Sequence, residues 1–210
     1  MGRLFRMESL MTVLTLLHTA EVHARTFRAL APEADLNQQV RSDWLARARD
    51  GIGADLKAEI AAAISAADGP VLCTCTTLGP AAEEAGAIRI DWPMMQEAAR
   101  IGGPVLMAYC LDSTVAPSEA LLRRAFGGCD PQLVPVFLGQ HWPLFETGAG
   151  AGFSAAIAES IAMALKDGAF GCVVLAQASM AGAAAVLRAQ TQVPVLASPE
   201  IAMRVLLAQR

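Results

Sequence analysis

Charge is scarce in this chain. Asp, Glu, Lys and Arg make up 17% of its 210 residues and leave a formal charge of −4. No basic surplus exists to hold phosphate backbones or anionic lipid, which argues against a nucleic-acid or membrane-surface partner. Long apolar stretches are missing too: none reaches the roughly 18 residues a spanning helix needs. The segment Gly148-Ala149-Gly150-Ala151-Gly152 lacks a following Gly-Lys-Ser/Thr and a strong preceding strand, so it reads as a linker and not a phosphate loop. His18 and His23 do not have the i, i+4 spacing of a zinc pair, and Cys73-x-Cys75 alone is a weak metal pattern. Five cysteines is an odd number in a chain long enough to fold without staples, so they read as free thiols of a reducing, cytoplasmic setting. Near the start, basic residues precede an apolar run. Glu8 and Ser9 interrupt it and no small-x-small cleavage site follows, so residues 11–17 are expected to form a buried strand and not a secretion signal.

What the sequence does have is apolar material, 54% of the whole, delivered in short runs. Residues 13–17, 71–73, 105–109 and 173–176 are such runs, each ending in small polar residues; 88–90 and 193–197 are shorter ones. Continuous apolar runs separated by helical patterns indicate parallel strands buried on both faces, hence an α/β chain. Residues 55–66 place Leu56, Ile60, Ala63 and Ile64 on one helical face. Ser154 reads as the N-cap of a helix over 155–166, with further helices at 118–124 and 180–189. His23 falls in a helix after the first strand and reads as a surface residue.

The pattern repeats. Cys75 and Gln177 each follow an apolar strand and precede small hydroxyl residues and an Ala-rich helix; a short strand and a proline follow in both places. His18-Thr19 and the 110–114 segment form a second such pair. Two units of roughly 100 residues each, an ordinary domain size, account for this. Ligands of open α/β sheets bind outside the carboxyl ends of the strands, so two facing units would aim these four polar tips into one cleft.

Those tips also carry a resemblance. Leu16-Leu17-His18-Thr19, Thr74-Cys75-Thr76-Thr77-Leu78-Gly79, the 110–118 segment CLDSTVAPS and the 174–181 segment VLAQASMA resemble, in order and spacing, the aspartate/glutamate racemase superfamily. That superfamily includes hydantoin racemases, maleate isomerases and arylmalonate decarboxylases. The resemblance implies two similar Rossmann-like subdomains with parallel sheets about a pseudo-twofold axis, and an active-site cleft between them. It implies a division into 1–97 and 98–198, with 199–210 completing the first unit, and a homodimer. It also implies chemistry at the carbon α to a carboxylate or carbonyl of a small acid of amino-acid, hydantoin or malonate type. No metal or organic cofactor is expected, because one thiol from each half serves the α-carbon.

Cys75 is the expected base or nucleophile, at a strand-to-helix junction where main-chain amides favour a thiolate. Thr76, Thr77, Ser113, Thr114 and Ser179 are expected to hold the substrate carboxylate, with His18 and Thr19 beside them. Gln177 stands where the second thiol of the family falls, and an amide exchanges no protons. Three readings follow: a racemase or isomerase with another second acid or base, Cys110 and Ser179 being nearest; a single-thiol decarboxylase; or a carboxylate-binding relative without turnover. Trp44, Met94 and Phe145 are candidates to line the pocket.

Overall fold

In the computed structural model, which describes residues 13–208, the runs at 13–17, 71–73, 105–109 and 173–176 become the inner strands of two sheets, and those at 88–90 and 193–197 become edge strands. The N-terminal residues of the 11–17 run, the basic stretch before it and the last two residues of the 199–210 segment lie outside the described residues. The first sheet holds β1 (Leu14–His18), β2 (Leu36–Val40), β3 (Val71–Cys73) and β4 (Ile88–Arg89); the second holds β5 (Val105–Tyr109), β6 (Leu133–Phe137), β7 (Cys172–Leu175) and β8 (Val195–Ala197). Their orders are β2-β1-β3-β4 and β6-β5-β7-β8, the same connectivity twice, and every neighbouring pair is parallel. The register repeats as well: Leu14 pairs with Leu36 in one lobe and Val105 with Leu133 in the other.

Helices follow where the parallel connections demand them. They are α1 (Glu21–Leu30), α2 (Ser42–Arg47), α3 (Ala54–Ser65), α4 (Gly79–Glu84) and α5 (Trp92–Ile101) in the first half of the chain. The second half has α6 (Asp112–Ala125), α7 (Trp142–Glu146), α8 (Gly150–Ala164), α9 (Gly182–Arg188) and α10 (Ser198–Ala208). Two expectations need correction. Ser154 caps nothing: α8 begins at Gly150, and the Gly-Ala-Gly segment read as a linker is its first turn. The helix expected over 118–124 starts earlier: residues 112–118 form the first half of α6, so Ser113 and Thr114 are helical.

The two halves share helices. α5 follows the first sheet, yet Met94, Met95 and Ala98 pack with Val105, Met107 and Val174 of the second. α10 follows the second sheet, yet Ala202 and Met203 pack with Leu14, Leu16 and Phe27 of the first. The division expected at 97/98 falls inside α5. A buried ion pair joins the lobes further: Arg89 donates to Asp91 through Nε (3.0 Å) and a terminal nitrogen (2.8 Å), and to the Pro117 carbonyl on α6 (3.3 Å). Both partners are almost wholly buried, so removing either would strand a charge.

α5 ends at Gly102 and Gly103, both at φ +74°, a left-handed conformation suited to glycine. Here the chain before β7 approaches so closely that a Cβ on Gly171 would sit 1.9 Å from the Gly102 carbonyl oxygen. Gly171→Ala is therefore expected to lower stability by about 1–3 kcal/mol. It should read as a lower urea midpoint with an unchanged slope. Gly152→Ala, in α8 with nothing within 4 Å of the added Cβ, should instead raise stability by roughly 0.5–1 kcal/mol.

Candidate active site

The carboxyl ends of β1, β3, β5 and β7 meet between the lobes around a cavity of about 40 Å³. Thr19, Thr74, Cys75, Thr76 and Thr77 reach it from the first lobe, and Thr114, Gln177 and Ser179 from the second. His23, Trp142 and Phe145 form an aromatic side. The Phe145 ring stacks on Trp142 (centroids 4.7 Å apart) and on His23 (6.1 Å). No lining residue carries a fixed charge. The space is narrow, with room for roughly three waters. An open groove of about 740 Å³ adjoins it, and Leu45, Leu111 and Trp142 line both.

Cys75 lies just past the end of β3, on the cavity wall, and is buried. Burial raises its thiol above the usual range; the Leu78 main chain, the Thr19 hydroxyl and the Thr77 main chain pull the other way without reversing it. The resting sulfur is therefore a protonated thiol, which corrects the expectation of a thiolate at rest. The same groups are placed to receive the charge once the proton leaves. Cys73 is packed in the strand and pushed up to about 12 by burial. Cys110, expected as a nearby second acid or base, is also pushed up to about 12; it faces the open groove, not the narrow cavity.

Gln177 extends from the end of β7. Its carbonyl oxygen accepts from the main-chain N–H groups of Cys110 and Leu111, just before α6. This fixes the side chain, and its amide nitrogen has no hydrogen-bond partner among the described residues. Ser179 is similar: its buried hydroxyl on the cavity wall has no partner. A polar group left this way costs about 1–3 kcal/mol unless a ligand or water meets it. The Thr114 hydroxyl also has no partner in the described protein.

Other expected contacts are spent on holding the lobes together. Thr76 Oγ1 donates to the Ala176 carbonyl across the cleft (3.0 Å), and Thr77 Oγ1 lies 3.1 Å from Ser113 Oγ. Ser113 itself lines the outer groove and not the cavity. His18 does not reach the cavity. Its Nδ1 lies 2.8 Å from Thr74 Oγ1, whose hydroxyl donates to the Leu17 carbonyl (2.9 Å), and its Nε2 lies 3.0 Å from Gln38 Oε1. Burial lowers its pKa and keeps it neutral. Of the apolar candidates, Phe145 lines the cavity, whereas Trp44 and Met94 are core residues.

Sequence reasoning missed His23. It is buried on the cavity wall, not on the surface, and burial brings its pKa down to about 4, with the neighbouring His18 contributing. The signal was its spacing from Phe27, one turn along the inward face of α1. Among the described residues, no group of three or more His, Cys, Asp or Glu is placed to hold a metal ion, and no helix is long and apolar enough to cross a membrane.

No protein-family model and no curated protein matches this sequence. Solved structures do match. Glutamate racemase from Francisella tularensis subsp. tularensis SCHU S4, in complex with D-glutamate, superposes with a TM-score of 0.70 at 9% identity, over 95% of this chain and 81% of that one. This chain shares the two-lobed fold of that racemase. Allantoin racemase from Klebsiella pneumoniae gives 0.65 at 18% identity, covering 94% and 86% of the two chains. Allantoin racemase from Pseudomonas fluorescens gives 0.62 at 18%, covering 93% and 89%.

The titrations here have testable signs. Unfolded histidine titrates near 6.5 and folded His23 near 4, so the unfolded chain binds the extra proton between these values. Stability is then lost as pH falls from 6.5 toward 4. His23→Gln should flatten that loss by on the order of 2–3 kcal/mol, seen by comparing urea midpoints of the two proteins across the window. Iodoacetamide labelling followed by peptide mass should mark the exposed Cys129 first. Cys75 should label slowly at neutral pH and speed up only above the ordinary thiol range.

Proposed function

We propose that the protein is a cofactor-independent racemase or isomerase acting at the carbon α to a carboxylate or carbonyl of a small acid or cyclic ureide. The observation that supports this most is the meeting of the Cys75 thiol with unpartnered donors of the other lobe, Gln177, Ser179 and Thr114, in one narrow cavity. Such a site suits a carbon acid. Neutral donors aimed at the carboxyl or carbonyl oxygen stabilise the enolate that forms when the α-proton leaves. Closing of the lobes on a substrate then excludes the water that would weaken those hydrogen bonds. Cys75 carries the proton to or from the α-carbon, with Thr19 and the amides of Thr77 and Leu78 holding its charge when it is a thiolate. Thr76 and Thr77 keep the lobes in register, and His18 fixes Thr74 beside the thiol. The aromatic side formed by Trp142 and Phe145 favours a substrate with a flat or apolar substituent.

A second reading has a specific observation behind it. Gln177 is locked by two main-chain donors and transfers no proton, which favours one-thiol chemistry: loss of carbon dioxide from a malonate, with Cys75 protonating the resulting enolate. A carboxylate-binding protein without turnover is the remaining alternative. The five unpaired cysteines support a reducing, cytoplasmic setting, and a homodimer rests on the superfamily resemblance.

Incubation in deuterated water with the enantiomers of glutamate, allantoin and 5-benzylhydantoin, and with phenylmalonate, separates these readings. The expected result is deuterium at the α-carbon with inversion, falling by roughly 100-fold or more in Cys75→Ser. Carbon dioxide release from phenylmalonate alone would favour the second reading. A raised melting temperature with neither exchange nor release would leave binding only. Exchange unaffected by Cys75→Ser would overturn the role of the thiol.

A further inference from the structure

A racemase needs a second group that carries protons, and the position opposite Cys75 in the repeat is an amide. Of the side chains lining the cavity, only the Cys75 thiol and the His23 imidazole exchange protons in the neutral range. His23 stands in the first turn of α1, its ring stacked 6.1 Å from Phe145 of the other lobe and 6.2 Å from the His18 ring. It makes no side-chain hydrogen bond among the described residues, although it is buried. Its ring nitrogens are not sealed from water, so the imidazole can gain and lose a proton where it stands. A packing role would be served better by a carbon ring, as Phe27 serves one turn further on.

His23 also lines a second space. An outer groove of about 430 Å³ lies beyond it, and His23, Phe145, Ala178 and Ser179 belong to the walls of both. The ring thus stands between the cavity and a second space on its other side. A group so placed can take a proton within and release it without.

We infer that His23 is the second proton-transfer residue of the site, working with Cys75 in place of a second thiol. This rests on the racemase reading above. In one direction, the lone pair of a His23 ring nitrogen takes the α-proton as the Cα–H bond breaks, leaving an enolate and an imidazolium. The Cys75 S–H bond then breaks and its proton joins the α-carbon, giving the other enantiomer and a thiolate. The opposite enantiomer runs the steps backwards from thiolate and imidazolium, or the pair resets when His23 releases its proton toward the outer groove and Cys75 takes one from water. Burial matches the starting state, since it holds the imidazole neutral as a base and the thiol neutral as an acid.

The test resolves the two enantiomers. With glutamate, allantoin and 5-benzylhydantoin in deuterated water, His23→Gln should lose inversion by 100-fold or more, yet still exchange the α-proton of one enantiomer through Cys75. Cys75→Ser should show the complementary preference. Equal loss for both enantiomers in His23→Gln, or racemisation within about threefold of the parent, would overturn the assignment while leaving the racemase reading intact. A second measurement needs no substrate. In NMR titrations of the imidazole, Cys75→Asp should raise the His23 pKa by about one unit or more relative to the parent, because a carboxylate would then stand on the wall of the same cavity. An unchanged titration sinks the pairing. The shift without exchange of any of the three probes overturns the racemase reading and, with it, the catalytic role of His23.

Discussion

The hydroxyl of Thr76 donates to the carbonyl of Ala176 across the gap between the lobes, and much of the site is arranged around that contact. Ala176 ends the apolar run of β7, so its carbonyl would otherwise face a narrow space without a partner. Thr76 answers it from the opposite strand tip, Thr77 adds a contact to Ser113, and Arg89 reaches the Pro117 carbonyl at the flank. Each bond is worth only about 1 kcal/mol, but an unmade one inside a dry cleft costs more than a made one gains. That asymmetry sets the lobe register and thereby brings Cys75 and Gln177 to the same cavity.

The narrow cavity has an electrostatic result. With no fixed charge on the walls, burial is the largest influence on each titratable group. It raises the thiol and lowers the imidazole, so both rest uncharged. A site with a lysine or arginine in it would have held a carboxylate more tightly and also a thiolate, and would have blunted the thiol as a base. Neutral hydroxyls and an amide bind an oxygen without that side effect. The groups that stay unpartnered, Ser179, Thr114 and the Gln177 nitrogen, are those a carboxyl or carbonyl would complete.

The inner strands were legible because burial on both faces leaves an unbroken apolar signature: β1, β3, β5 and β7 all fall on the short runs. Of the edge strands, β4 and β8 fall on the two shorter runs, whereas β2 and β6 were not legible. β2 reads Leu-Asn-Gln-Gln-Val and is half wet, and β6 carries Pro135, which a strand tolerates at an outer edge where no neighbour needs its N–H. Pro117 hid the start of α6 in the same way, and two glycines hid the start of α8. Among site residues, the strand tips Thr19, Cys75 and Gln177 were readable because chain order puts a tip at the sheet's carboxyl edge. His18 and His23 were misjudged for one reason. Which way a histidine turns depends on what packs above it, here Gln38 on a polar edge strand and Phe145 from the other lobe, and neither contact is local.

The helix exchange between the lobes bears on the order of synthesis. Leu14, Leu16 and Phe27 are among the first described residues to leave the ribosome, yet the side chains that cover them, Ala202 and Met203, are among the last. The amino-terminal half thus emerges with an uncovered apolar face and stays so through most of translation. Its burial waits for the carboxyl-terminal helix, making the nascent chain dependent on speed or on a chaperone that masks one side of the first sheet.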